Sequence, residues 1–208
     1  MIVLSHRGYW LERSERNQRI AFERSFQLGY GTETDLRDAG GEIVISHDVA
    51  TGDELTLAQA LDIYRLYSDG VLPLALNIKA DGLAGFVKKA LESLPGLDAF
   101  VFDMAVPDMR SYFEAGIPVF TRMSEAERQP VWLDYSAGVW LDSFGPTWYD
   151  EELVGELLST GKRVCVVSSE LHMREPQDLW SMLTHHAAAP NLMLCTDRPE
   201  QARAYFRL

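Results

Sequence analysis

The feature that most constrains this 208-residue chain is its alternation. Short apolar runs of strand length take turns with longer segments whose apolar residues recur at helical spacing. The runs cover residues 2–6 (IVLSH), 31–35 (GTETD), 42–47 (EIVISH), 74–79 (LALNIK), 99–104 (AFVFDM), 118–123 (PVFTRM), 138–142 (GVWLD), 163–169 (RVCVVSS) and 192–197 (LMLCTD). Several are near-continuous Val, Ile, Leu or Phe, the pattern of parallel strands covered on both faces. Helical spacing begins at Asn17, carrying Ile20, Ala21, Phe22 and Phe26 before Gly29. It begins again at Thr56, a fitting N-cap, with Leu57, Ala60, Leu61, Tyr64 and Leu66. Further helical segments cover 83–94, 107–115, 149–160, 176–188 and 199–207. No linker or low-complexity stretch interrupts the series, so residues 1–208 read as a single domain.

One joint departs from the alternation. Residues 35–42 (DLRDAGGE) are too short for a helical crossover and contain Gly40-Gly41, so 42–47 is expected to return antiparallel beside 31–35 as a hairpin. Removing that return strand leaves eight parallel strands in about 200 residues, the arithmetic of a compact (β/α)8 barrel. The alternative is a doubly wound open sheet, but neither G-x-G-x-x-G nor G-x-x-x-x-G-K-[ST] occurs.

Charge narrows the partners. With 19 basic and 31 acidic residues the net charge is −12, which disfavours nucleic acid and anionic membranes and requires a local positive centre for any phosphate. Cys165 and Cys195 lie inside apolar runs and read as buried thiols, not a disulfide framework. No apolar stretch approaches the ~20 residues of a membrane span. Met1-Ile2-Val3-Leu4 runs at once into Ser5-His6-Arg7, unlike a signal peptide, so a cytoplasmic location is expected.

In such a barrel the chemistry sits at the C-terminal ends of the strands. Those ends carry His6 and Arg7, Glu33 and Asp35, Asn77 and Lys79, Asp103, Arg122, Asp142, Ser168 to Glu170, and Asp197. Glu33 and Asp35 are two apart on one strand and so share a face. Two adjacent carboxylates repel, and a hard cation such as Mg²⁺ or Ca²⁺ is the usual remedy. If the hairpin turns around Ala39-Gly40, His47 lies close to Glu33, and with His6 it places two imidazoles beside the carboxylates. Such a pair can move protons to and from a phosphate ester. Asp103 and Asp142 are candidate helix caps, and Asp197, before Arg198-Pro199, reads as one. His172, His185 and His186 read as surface residues, and Trp10 and Trp140 as candidates to line a site.

Taken in order, these residues resemble the glycerophosphodiester phosphodiesterase family. That family begins with a strand running into H-R-G, matched by His6-Arg7-Gly8, and continues with an E-x-D strand, a short hairpin and H-D. Those are Glu33-Thr34-Asp35, the Gly40-Gly41 turn and His47-Asp48; a final T-D-x-P is matched by Thr196-Asp197-Arg198-Pro199. The resemblance implies a barrel enzyme that hydrolyses small phosphodiesters, including lysolipid diesters, with a divalent cation (Mg²⁺, Ca²⁺ or Mn²⁺). It implies that His6 and His47 are the acid/base pair, that Arg7 and Lys79 hold phosphate, and that Glu33, Asp35 and Asn77 hold the metal.

The chain departs from the family at three places. Glu15-Arg16-Asn17-Gln18 stands where the family has P-E-N-T. Asn77-Ile78-Lys79 stands where the family has E-x-K, removing one carboxylate from the implied metal set unless Asp103 replaces it. The sizeable insertion that often follows H-D is reduced to residues 49–55, so the site should be more open. Two other readings compete with the metal-dependent hydrolase. One is a metal-independent lyase resembling bacterial phosphatidylinositol phospholipase C, with Arg37, Arg16 or Arg122 in the cation's place. The other is a catalytically silent relative that binds phosphate-containing ligands.

Overall fold

The structure, a computed structural model, describes residues 1–68 and 70–208. Among these residues nine strands alternate with seven α-helices. In chain order they are β1 (Ile2–His6), α1 (Arg19–Gln27), β2 (Gly31–Ala39), β3 (Glu42–Ile45), α2 (Leu57–Tyr67), β4 (Leu74–Ile78), α3 (Ala84–Glu92) and β5 (Ala99–Phe102). Then follow α4 (Met109–Glu114), β6 (Phe120–Met123), β7 (Gly138–Leu141), α5 (Glu151–Ser159), β8 (Arg163–Val167), α6 (Gln177–Leu183), β9 (Leu192–Thr196) and α7 (Pro199–Phe206). Eight strands are parallel and β3 alone is antiparallel, so the fold class is the (β/α)8 barrel that the alternation predicts. The β6-to-β7 step carries a three-residue 3₁₀ turn, Leu133–Tyr135, in place of an α-helix.

The chain divides into two compact units, Ser5–Val119 and Met1–Leu4 with Phe120–Leu208. In the first, β5, β4 and β2 lie side by side, followed by the Ser5-His6 end of β1. The β2–β4 register sets Glu33 against Ala75 and Asp35 against Asn77. β3 pairs with the far end of β2, from Leu36↔Ile45 to Ala39↔Glu42, so Gly40 and Gly41 make the two-residue turn. Both take φ > 0 (58° and 88°), which a glycine pair adopts without a Cβ penalty.

Helices α1 and α2 cover this sheet with apolar stripes. Phe22 and Phe26 from α1 join Leu57, Leu61 and Tyr64 from α2 in one buried cluster with Leu36 and Leu76. Full burial of such a side chain contributes roughly 1.5–3 kcal/mol. The edge-to-face pair Phe26–Tyr64, with centroids 5.1 Å apart, locks the two helices together. Thr56 is the N-cap of α2 as the sequence predicts, accepting from Gln59 N at 3.2 Å while Gln59 Oε1 accepts from Thr56 N.

In the second unit β6, β7, β8 and β9 are parallel neighbours, followed by Ile2–Leu4 of β1. β8 and β9 are buried on every residue except Arg163, which explains their unbroken apolar sequences. Gly138 opens β7 because a Cβ there would lie 2.5 Å from the Phe120 ring and 2.6 Å from the Arg163 carbonyl. Cys165 and Cys195 are buried thiols that form no disulfide among the described residues. Among the described residues no helix is long and apolar enough to cross a membrane.

Candidate active site

The site in the Ser5–Val119 unit starts where β1 ends. Arg7 has φ 59° and Gly8 φ 79°, so the chain turns sharply as it leaves the strand. Gly8 is required twice over, since a Cβ would also stand 2.8 Å from the Ala21 Cβ of α1. The turn is tied down by Tyr9 N donating to Ala21 O (2.9 Å) and Asn17 N donating to Arg7 O (2.9 Å). His6 is fixed from its own backbone: its carbonyl accepts from Trp10 Nε1 at 3.1 Å. Trp10, expected to line a site, is thus a strut behind the histidine.

Glu33 and Asp35 project from β2 and are both 1% exposed. Their partners differ. Glu33 Oε2 lies 3.8 Å from His6 Nε2 and accepts from Arg7 N at 3.2 Å. Burial and the charge on Asp35 push the Glu33 carboxyl up to about 7, against the opposing pull of His6, Arg7 and Lys79. Asp35 is held instead by cations. Arg7 Nε stands 3.0 Å from its Oδ2, off the hydrogen-bonding direction, and Lys79 Nζ stands 3.4 Å from its Oδ1. Asn17 Nδ2 donates to the same Oδ2 at 3.0 Å, while Asn17 Oδ1 accepts from Thr34 Oγ1 at 2.9 Å. The structure thus gives Asn17, in the altered E-R-N-Q stretch, a role the sequence does not reveal: it fixes Asp35 on the strand.

Asn77 is 7% exposed and donates from Nδ2 to Asp103 Oδ2 at 3.4 Å. Its Oδ1 is buried without a partner among the described residues. A buried amide oxygen left unsatisfied costs roughly 1–3 kcal/mol, so this position asks for a donor or a cation. Asp103, with φ 64°, stands beside Asn77 and does not cap a helix; the N-cap position of the following 3₁₀ turn is Ala105. The oxygen donors Glu33, Asp35 and Asn77 fit a hard divalent cation chemically. Among the described residues no three of His, Cys, Asp and Glu converge as a metal cluster, so the set offers two carboxylates and an amide.

His47 follows directly on the hairpin. The β2–β3 ladder continues with Ser46 N donating to Asp35 O at 3.0 Å, and the imidazole of His47 then turns to Asp48, Nδ1 to Oδ1 at 2.9 Å. Among the described residues no ion pair joins His47 to Glu33, and the His47 side chain is 44% exposed. It does share a cleft of about 310 Å³ with Arg7, Arg16 and Asn17. Of the arginines weighed for the cation's place, Arg37 donates to the His47 carbonyl at 3.1 Å, Arg16 stacks on Trp10, and Arg122 pairs with Glu127. The short loop after His47-Asp48 is closed on itself: Glu54 accepts from Thr51 N (2.6 Å), Thr51 Oγ1 (2.8 Å) and Gly52 N (2.8 Å).

In the Phe120–Leu208 unit a second constellation went unseen in the sequence. His172 is partly buried, with Nε2 2.7 Å from Asp142 Oδ1, and stacks edge-on against Phe144 at 5.1 Å. Asp142 also accepts from Ser143 N at 2.6 Å and caps no helix, since α5 starts at Glu151 behind the N-cap Asp150. Asp197 is likewise no cap: Arg198 holds that position, and Asp197 N donates to Glu170 Oε1 at 3.1 Å. Trp140 is buried, so it belongs to the core. His185 and His186, by contrast, are at the surface, His185 in an ion pair with Glu151.

No family model matches the chain, and no curated protein matches it by sequence. Solved structures do. A glycerophosphodiester phosphodiesterase from Parabacteroides distasonis is similar with a TM-score of 0.71 at 17% identity, over 99% of this chain and 96% of that one. One from Agrobacterium tumefaciens is similar with a TM-score of 0.67 at 12% identity, over the full length of both chains. A glycerophosphoryl diester phosphodiesterase from Parabacteroides distasonis reaches a TM-score of 0.54 at 14% identity, over 99% of this chain and 86% of that one. At these identities the shared property is the fold, and the chain has the fold of the glycerophosphodiester phosphodiesterases along its length.

Proposed function

We propose that this protein hydrolyses small phosphodiesters, with His6 and His47 moving the protons. The observation that carries the reading is that Arg7 and His47 line one cleft while Arg7 and His6 flank the buried pair Glu33–Asp35. Three solved structures of the same fold bear the name of that activity.

Each side chain then has a task. Asp35, itself held by Asn17, orients the Arg7 guanidinium and the Lys79 ammonium, which supply positive charge for the phosphoryl oxygens. Glu33 accepts from Arg7 N and stands by His6, so it fixes the turn that presents the imidazole. His47, more exposed and steadied by Asp48, takes or returns the second proton at the open side of the cleft. Glu33, Asp35 and Asn77 would hold a divalent cation, which when bound polarises the phosphoryl oxygens and offsets negative charge.

The competing reading assigns the cation's work to basic side chains, and the approach of Arg7 and Lys79 to Asp35 favours it. Hydrolysis of bis(p-nitrophenyl) phosphate and glycerophosphocholine separates the two. Activity lost to EDTA and regained with Mg²⁺, Mn²⁺ or Ca²⁺ is the expected result. EDTA-indifferent activity with a persistent cyclic phosphate supports the lyase, and absence of turnover with either substrate under every condition contradicts the hydrolase.

A further inference from the structure

One built cluster has no task in the chemistry above: the Asp142–His172 pair of the Phe120–Leu208 unit. Asp142 follows the C-terminal end of β7 and His172 lies in the loop after β8, and at such strand ends parallel barrels build their sites. Asp142 is 6% exposed and held through its own backbone. Its N donates to Met123 O at 2.9 Å, and its carbonyl accepts from Trp148 Nε1 at 2.8 Å. Its Oδ1 meets both Ser143 N (2.6 Å) and His172 Nε2 (2.7 Å). An ionised carboxylate can only accept, so Nε2 carries the hydrogen and Nδ1 of the neutral imidazole holds the lone pair. Nδ1 has no hydrogen-bond partner among the described residues, and the side chain is 22% exposed.

The surroundings of this imidazole are fixed and partly apolar. Phe144, edge-on to it at 5.1 Å, is held by Glu125, which accepts from Phe144 N (3.2 Å) and Gly145 N (2.7 Å). Arg174 Nη2 donates to the Ser143 carbonyl, so the two loops are clasped without any help from His172. Met173 has φ 58°, a conformation in which glycine is at ease and a longer side chain is strained. Strain of this kind gathers at functional sites. Met173 is 91% exposed and Phe144 51%, so apolar surface stands open beside the histidine. The local charges do not favour an anion. Glu125 and Asp142 are acidic, Arg174 is turned to Ser143 with its Nε buried, and Arg122 pairs with Glu127.

We infer that His172 is a second acid/base centre of this protein, with Asp142 its positioning residue, and that it acts on small uncharged carboxylic esters of apolar alcohols. Asp142 fixes the tautomer and aim of the ring, as a buried carboxylate does for a catalytic imidazole. In the step, water gives a proton to His172 Nδ1 while its oxygen attacks the ester carbonyl carbon. The bond from that carbon to the alcohol oxygen then breaks, and Nδ1 returns the proton to the leaving oxygen. Carboxylic acid and alcohol are released, and the imidazole is neutral again. Phe144 and Met173 provide the surface against which the alcohol lies. The inference is independent of the phosphodiester reading, which uses none of these residues.

The test follows phenol release from phenyl acetate by the wild type, His172→Gln, Asp142→Asn and Phe144→Ala, beside nitrogen-15 NMR of the wild-type histidines. The wild type should exceed the rate in buffer, and kcat should fall about tenfold or more in His172→Gln and in Asp142→Asn. Phe144→Ala should raise KM with kcat little changed. The spectrum should show His172 protonated at Nε2, with that preference lost in Asp142→Asn. Hydrolysis no faster than in buffer, or as fast in His172→Gln as in the wild type, overturns the inference. So does a wild-type ring protonated at Nδ1, which has no lone pair to offer there. Should His172→Gln fail to fold, Asp142→Asn and the wild-type spectrum decide, and a rate unmoved by Asp142→Asn overturns the pairing.

Discussion

Asp35 and Asn77 are register partners on adjacent parallel strands, yet they sit in opposite electrostatic circumstances. Asp35 is met by Arg7 Nε, Lys79 Nζ and Asn17 Nδ2 within 3.4 Å, whereas Asn77 Oδ1 has no partner among the described residues. Positive charge from the chain therefore crowds one side of the proposed metal set, and an unused neutral oxygen marks the other. Any cation held there should bind loosely for a site with two carboxylates.

That imbalance yields a direct prediction. Asn77→Glu adds a charge where the amide oxygen is idle and removes the donor that now faces Asp103. The variant should melt at a lower temperature in EDTA and regain stability with Mn²⁺ or Ca²⁺, and its affinity measured by calorimetry should rise about tenfold or more. Unchanged affinity would remove Asn77 from the set.

Glu33 gives a pH signature. Its carboxyl is raised from 4.5 to about 7 by burial and by Asp35, so between those values the folded protein binds a proton that the unfolded chain has released. Stability supplied by this group is therefore present at pH below 4.5 and is lost as pH rises toward 7. Denaturant unfolding in EDTA across that range should show a steeper fall for wild type than for Glu33→Gln. Equal slopes would contradict the assignment of the raised proton affinity to Glu33.

Asn17 is the residue that ties Asp35 to its place, through one bond to Asp35 and one from Thr34. Asn17→Ala leaves both without that partner and should cost about 1–3 kcal/mol in chemical denaturation. If hydrolysis is the activity, kcat should fall along with stability, because Arg7 loses its fixed counter-charge. A variant with wild-type stability would show that Asn17 is dispensable.

The turn after His6 depends on Gly8. Gly8→Ala forces a Cβ against Ala21 at 2.8 Å while the backbone stays at φ 79°, and the two effects together should cost roughly 2 kcal/mol or more. A melting temperature within a degree or two of wild type would mean that the turn relaxes in a way the structure does not show.

Local pattern carried most of the fold. Each of the nine apolar runs overlaps an observed strand, and Thr56 caps α2 because a threonine followed three residues on by Gln59 forms the reciprocal bond. Glu33, Asp35 and Lys79 converge because side-chain alternation and parallel register are both readable from the runs. What failed was long-range or conformational. His172 finds Asp142 thirty residues away, a pairing with no local signature. Asp142, Asp103 and Asp197 looked like caps because each ends a strand, but the helices that follow start further on or take other caps. The hairpin register carries on to Ser46 and Asp35 as the sequence suggests, but the His47 side chain turns to Asp48, a choice of rotamer that register does not encode.

The central claim, that His6 and His47 are the two proton carriers of a phosphodiesterase, is tested most directly by single-turnover-independent steady-state kinetics on bis(p-nitrophenyl) phosphate with His6→Ala and His47→Ala beside the wild type. Far-ultraviolet circular dichroism would confirm that all three are folded. The account predicts measurable turnover in the wild type and a loss of about a hundredfold or more in kcat for each variant. Near-wild-type kcat in either variant would contradict it.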